Sequence, residues 1–135
     1  MTPPTPLAPL DRRIVLSGLW IAMLFTFAYV DIFGFWRADV IKGALEATVP
    51  GAGFAINQRF LILTTLYVVI PILMVVASLL LPWSANRLAN RVLPVVYVLT
   101  IVGSMVGETW IYYVLGSVIE IALLAAVFIT AHRWR

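Results

Sequence analysis

The stretch FLILTTLYVVIPILMVVASLLL, residues 60–81, runs without a single charged side chain. A helix needs about 20 mostly apolar residues to cross the hydrocarbon core of a bilayer, and only a helix or a closed barrel satisfies its own backbone hydrogen bonds there. No barrel-type alternation competes in this chain. Phe60–Leu81 is therefore read as a membrane span, and Ile14–Trp36, Val92–Thr109 and Trp110–Ala131 meet the same test. The expected fold is all-α: an integral membrane four-helix up-down bundle spanning residues 14–131.

Composition agrees. Hydrophobic residues make up 63% of the chain and charged residues 11%, whereas about a quarter of a soluble protein is charged. There is no cysteine, which excludes disulfides, thiolate metal sites and thiol redox chemistry. The one histidine, His132, stands among arginines near the C-terminus, where one chain does not assemble a haem or zinc centre. No nucleophile–base pair, metal cluster or phosphate loop is visible. The expectation is a protein without metal or cofactor, and not an enzyme. The formal net charge of +3 comes from basic residues at segment ends, which suits lipid headgroups and not nucleic acid.

Residues 1–13, opening with MTPPTPLAPL, are too rich in proline for a helix and read as a disordered tail, with a second short tail at 132–135. DRRIVLSG resembles a twin-arginine export signal, but the apolar run after it is too long and has no small-x-small cleavage site. It is kept as the first span. With four spans, the side bearing both termini carries Arg12, Arg13, Arg87, Arg91, Arg133 and Arg135, against Arg37, Lys42 and Arg59 on the other. The excess predicts cytoplasmic termini.

The connectors differ in kind. In the first, ADVIKGALEAT places Val40, Ile41, Ala44, Leu45 and Thr48 at helical spacing, which predicts a short helix lying on the membrane interface. VPGAGF, 49–54, then turns the chain back. The second, PWSANRLANR, reads as a short link that makes spans two and three antiparallel neighbours. The third, around GETWIYY, reads as a tight hairpin with Trp110, Tyr112 and Tyr113 in an interfacial aromatic belt. Gly103 and Gly107, with Gly116 and Ser117, suggest close approach of spans three and four.

Counting about 1.5 Å per residue from the outer ends sorts the polar residues by depth. Asp31, Thr64 and Ser104 fall in an upper layer. Glu120 falls roughly 15 Å down, near the midplane, at the depth of Tyr67 and Thr100. Helical phase places Tyr97, Thr100, Ser104 and Glu108 on one stripe, and Tyr113, Gly116, Ser117 and Glu120 on another. Pro71 is expected to kink its helix and free the Tyr67 carbonyl. The candidate cluster is Glu120, Asp31, Tyr67, Thr100, Ser104, Thr64 and Arg59, with Tyr67 and Thr100 as partners of Glu120 and Arg59 meeting Asp31 or Glu108. A charge at mid-bilayer costs at least about 2.5 kcal/mol, so Glu120 should face the bundle and stay protonated. It then serves as a neutral strut, as a proton or cation site, or as a contact to another subunit.

FAYVDIFGFW at 27–36, IPILM at 70–74, SLLLP at 78–82 and ANRLAN at 85–90 resemble a bacterial family of small four-helix inner-membrane proteins classed as a domain of unknown function. The resemblance singles out Asp31, Pro71, Asn86, Arg87, Asn90 and Glu120, and implies no activity or cofactor. A likeness to small multidrug-resistance transporters fails, because their glutamate lies in the first helix. The leading reading is a structural or accessory protein of the bacterial inner membrane, with the lipid bilayer as its surroundings and either a second copy or another membrane subunit as partner. The alternative is a small proton- or cation-coupled transporter.

Overall fold

A computed structural model describes residues 10–134. These residues form five helices and, apart from one isolated antiparallel bridge between Thr48 and Ala55, no β structure. The helices are α1 (Arg12–Gly34), α2 (Ala38–Leu45), α3 (Gln58–Leu80), α4 (Trp83–Ser104) and α5 (Ile111–His132). Residues 1–9 and 135, most of the first expected tail and the end of the second, lie outside the described residues. Arg12, Arg13 and His132, assigned to those tails by sequence, are helical.

Local chemistry explains where the helices start. The Asp11 side chain accepts the Arg13 N–H at 2.9 Å, and Asn57 Oδ1 accepts the Phe60 N–H at 3.0 Å, so each satisfies a donor that has no partner within its own helix. Pro82 precedes the first turn of α4, and its carbonyl accepts the Asn86 N–H. The expected third span, 92–109, is thereby corrected: the helix begins at Trp83, inside the segment read as a link, and stops at Ser104. Charge and asparagine content made 83–91 look like a loop, yet Asn86 and Asn90 are fully buried and so belong to an inward helical face.

Helices α1, α3 and α5 are long and apolar enough to cross a membrane, with mean hydropathies of 1.8, 2.7 and 2.3. Helix α4 does not join them, because Asn86, Arg87, Asn90 and Arg91 occupy its first half. Helix α1 packs along both α3 and α5, and α4 packs along α5. Helices α3 and α4 touch along little of their length, so the neighbour relation expected from their short link is only partly realised. Their hydrogen bonds, described below, fall at two levels.

Buried side chains concentrate toward the end that carries the termini: Leu16, Trp20 and Met23 of α1, Met74 of α3, and Leu124, Val127 and Ala131 of α5. Trp20 meets the edge of Tyr97 at 6.3 Å between centroids. Toward the other end Asp31, Thr100 and Ser104 are exposed.

The close helix approach is also not where the glycine pair suggested. A Cβ on Gly103 would meet nothing within 4 Å, and Gly107 serves the α4–α5 turn with φ +84°. Gly116 is the contact point instead: a Cβ there would overlap Val30 Cγ2. The small residue lets α5 approach α1. Gly116→Ala is therefore expected to destabilise the protein by about 1–3 kcal/mol through overpacking, and Val30→Ala in the same chain should recover much of the loss. Denaturant unfolding in detergent micelles measures both.

Candidate functional site

Polar side chains inside the helix assembly gather at three levels. Nearest the termini, Trp20, Ser78, Asn86 and Asn90 are all fully buried. The Trp20 indole N–H donates to Asn90 Oδ1 at 2.7 Å. The Asn90 amide donates to Asn86 Oδ1 at 2.7 Å and to the Asn86 carbonyl at 3.0 Å, with Ser78 Oγ at 3.4 Å. The Asn86 amide donates to the Ser78 carbonyl at 2.7 Å. The network joins α1, α3 and α4, and each amide finds partners, as burial requires. At the same end Arg13 donates to the Leu79 carbonyl, and Arg87 donates to the carbonyls of Ala131 and His132. These guanidinium groups cap the last turns of α3 and α5 and oppose their dipoles.

At the middle level Pro71, which has no N–H, leaves the Tyr67 carbonyl without its helical partner. The Tyr97 hydroxyl donates to that carbonyl. The freed acceptor expected from the sequence thus becomes a link between α3 and α4. The Thr100 hydroxyl donates to the Tyr97 carbonyl at 2.8 Å, so its single proton is committed and Tyr67 is the donor in the 2.7 Å contact with Thr100. Ser104 likewise donates to the Ile101 carbonyl, and Tyr113 donates to Ser104 at 3.0 Å.

Glu120 lies beside this level, 3% exposed. Among the described residues no hydrogen bond reaches its carboxyl. The expected partners, Tyr67 and Thr100, are engaged with each other. The structure pairs Tyr67 with Thr100 and Tyr113 with Ser104, and among the described residues neither Asp31 nor Glu120 shares a side-chain hydrogen bond or ion pair with them. It does not bring in Thr64 or Arg59. The Thr64 hydroxyl donates to the Phe60 carbonyl of its own helix, and Arg59 makes no ion pair or side-chain hydrogen bond among the described residues. Sequence reasoning gave Tyr113 a place on the α5 stripe but no argument for Ser104 as its partner.

At the far end the partner of Glu108 is Arg37, not Arg59. Arg37 donates to Asp39 through two nitrogens, at 2.6 and 3.1 Å, and to Glu108 at 2.9 Å, with its guanidinium 4.8 Å from the Trp110 ring centre. Glu108 also accepts the backbone N–H groups of Thr109 and Trp110. Burial pushes the Glu108 carboxyl up, but those N–H bonds and Arg37 outweigh it and hold the group below its ordinary value of 4.5. The hydrogen bond from Arg37 also lowers Asp39. The hydrogen bond to Asp39 leads in raising Arg37, which stays charged.

Because both carboxyls are depressed on folding, the latch is complete above pH 4.5 and is lost as pH falls through their lower folded values. Exchange of the Thr109 and Trp110 amides, corrected for intrinsic rate, should accelerate over that acidic window. Arg37→Gln should move the onset upward toward pH 4.5.

Comparison with curated proteins and with solved structures finds no match. The segments at 27–36, 70–74, 78–82 and 85–90 that resemble a family without assigned activity all fall within one family match, which begins inside the proline-rich head. The chain belongs to a family of unknown function, DUF6326, which it matches over residues 9–135.

Proposed function

We propose that this chain is an integral protein of a bacterial cytoplasmic membrane, a four-helix up-down bundle with α4 as the fourth span, whose role is structural or accessory and not catalytic. One observation carries the reading. The most apolar helix, α3, is also poorly covered: only 11% of its most apolar stretch is buried within the chain. Leu61, Leu63, Leu66, Leu73 and Leu80 all face outward. In water a surface of that kind marks an interaction site, and here lipid, a second copy or a partner subunit supplies the cover.

The charge distribution supports cytoplasmic termini. Arg12, Arg13, Arg87, Arg91 and Arg133 gather at one end, while at the other Arg37, Lys42 and Arg59 are matched in number by Asp39, Glu46 and Glu108. Helix α2, with Ile41 and Leu45 exposed, suits the outer interface.

The natural absence of cysteine makes a clean topology test possible. In intact cells a membrane-impermeant maleimide should label Glu46→Cys, and should label Ala85→Cys only after permeabilisation. Labelling of position 85 from outside would reverse the orientation.

The unpartnered carboxyl of Glu120 favours a second reading. A strut between helices would hold a hydrogen bond, whereas a group that binds a proton or cation in turn is left free to do so. On this reading the protein is a small proton- or cation-coupled carrier. Proteoliposomes of the wild type should then dissipate an imposed pH gradient faster than those of Glu120→Gln, and equal rates would return Glu120 to a packing role.

A further inference from the structure

Helix α4 sorts its side chains by face. At about 100° per residue, Asn86, Asn90 and Tyr97 fall on one side and are buried, while Leu88, Val92, Val95, Leu99 and Val102 fall on the opposite side and are all exposed. Arg91 lies at the edge of that exposed stripe, and Arg87 stands one turn before it on the same flank. The two arginines therefore border an outward apolar track that runs about 21 Å along the helix, from Leu88 to Val102.

Arg87 is held in place. Its guanidinium donates to the Ala131 and His132 carbonyls at 3.3 Å each and lies 5.3 Å from the Trp83 ring centre. A guanidinium has five N–H donors, so Arg87 keeps others for a further acceptor. Arg91 makes no ion pair or side-chain hydrogen bond among the described residues. It stands eight residues inward from Trp83, about 12 Å along the axis. Its neighbour Asn90 bonds to Trp20, which is the same number of residues inward from Arg12 on α1. A cation at that depth in hydrocarbon needs a counter-charge or a route to the headgroups. Among the described residues the chain supplies little of either sort: the end that carries Arg12, Arg13, Arg87, Arg91 and Arg133 has a single carboxylate, Asp11, whose side chain already accepts the Arg13 N–H as a helix cap.

We propose that Arg87 and Arg91 bind the phosphate of an anionic phospholipid, of the phosphatidylglycerol or cardiolipin class, whose acyl chain lies along the exposed stripe of α4. The site deepens the reading of α4 as a fourth span and rests on it. The asparagines turn inward, the arginines take their counter-charge from lipid, and the helix crosses the bilayer in spite of its polar first half. Guanidinium groups suit this ligand because they present paired donors to phosphate oxygens. Charge then chooses among phospholipids. All carry a phosphate, but ethanolamine and choline headgroups add an ammonium that the arginines of this end repel, whereas a glycerol headgroup leaves a net negative charge. The apolar stripe separates lipid from free phosphate, since a soluble anion gains nothing from it.

Native mass spectrometry of the full chain in detergent, with phosphatidylglycerol, phosphatidylethanolamine or phosphatidylcholine of the same acyl chains added, tests the site. Phosphatidylglycerol should be retained about fivefold more tightly than the other two, and Arg91→Gln should remove most of that advantage, the contribution of about one basic residue beside an anionic surface. Arg12→Gln removes the same charge from the same end and should change retention little. Excess inorganic phosphate should not displace the lipid. Unfolding in detergent checks that each variant is folded, and the comparison of lipids on the wild type needs no variant. Equal retention of the three lipids by the wild type, or equal losses in folded Arg91→Gln and Arg12→Gln, would overturn the site. Displacement by inorganic phosphate would put a free anion in place of the lipid and also overturn it. Maleimide labelling of Ala85→Cys and Thr109→Cys from the same side of the membrane would remove the fourth span itself, whereas labelling from opposite sides with no preference for phosphatidylglycerol would overturn the lipid site alone.

Discussion

The hydrogen bond from the Trp20 indole to Asn90 is the contact on which the packed half of the molecule depends. Without water nearby, a buried amide or indole N–H costs about 1–3 kcal/mol when left alone. Asn90 answers for Trp20, Asn86 and Ser78 together, and so fixes the register of α1, α3 and α4 in one place. Apolar packing alone does not discriminate one register from another in a lipid environment, where the surroundings are as apolar as leucine. A small number of directional bonds does.

From this hub the structure loosens along its length. The half bearing the termini is filled by Leu16, Met23, Leu124 and Val127. In the other half α1 and α5 meet at Gly116 and Val30, while polar side chains of α1 and α4 stay exposed. The Arg37–Glu108 pair closes that half from the end and ties the α1–α2 connector to the α4–α5 hairpin. The result is a scaffold with one dense half and one more open half, and the carboxyls lie in the latter.

Much of this was legible from residue order. The apolar lengths of α1, α3 and α5 define them, and the stripe of Gly116, Ser117 and Glu120 is buried as its spacing implies. Pro71 also announced a free carbonyl at Tyr67. The partners were harder to read. Hydroxyl groups on helices compete between local carbonyls and distant acids, and Thr100 and Ser104 chose carbonyls three residues back. Counting depth along straight helices could not separate Arg37 from Arg59, because the choice depends on how the chain turns after Gly34. The start of α4 reads as a link because Asn-x-x-x-Asn, with an arginine after each asparagine, is polar in composition but inward in phase, and phase decides the outcome.

The arginine caps also bear on the order in which the protein is made. Arg13 of α1 reaches the end of α3, and Arg87 of α4 reaches the end of α5. In both cases the capping cation lies earlier in the chain than the helix whose carbonyls it covers. During synthesis from the N-terminus, each guanidinium is in place before the terminal carbonyls of the later helix emerge. Assembly is thus written into the polarity of the chain: a circularly permuted version that kept every contact but placed α3 before α1 would deliver those carbonyls to the bilayer surface ahead of their counter-charge.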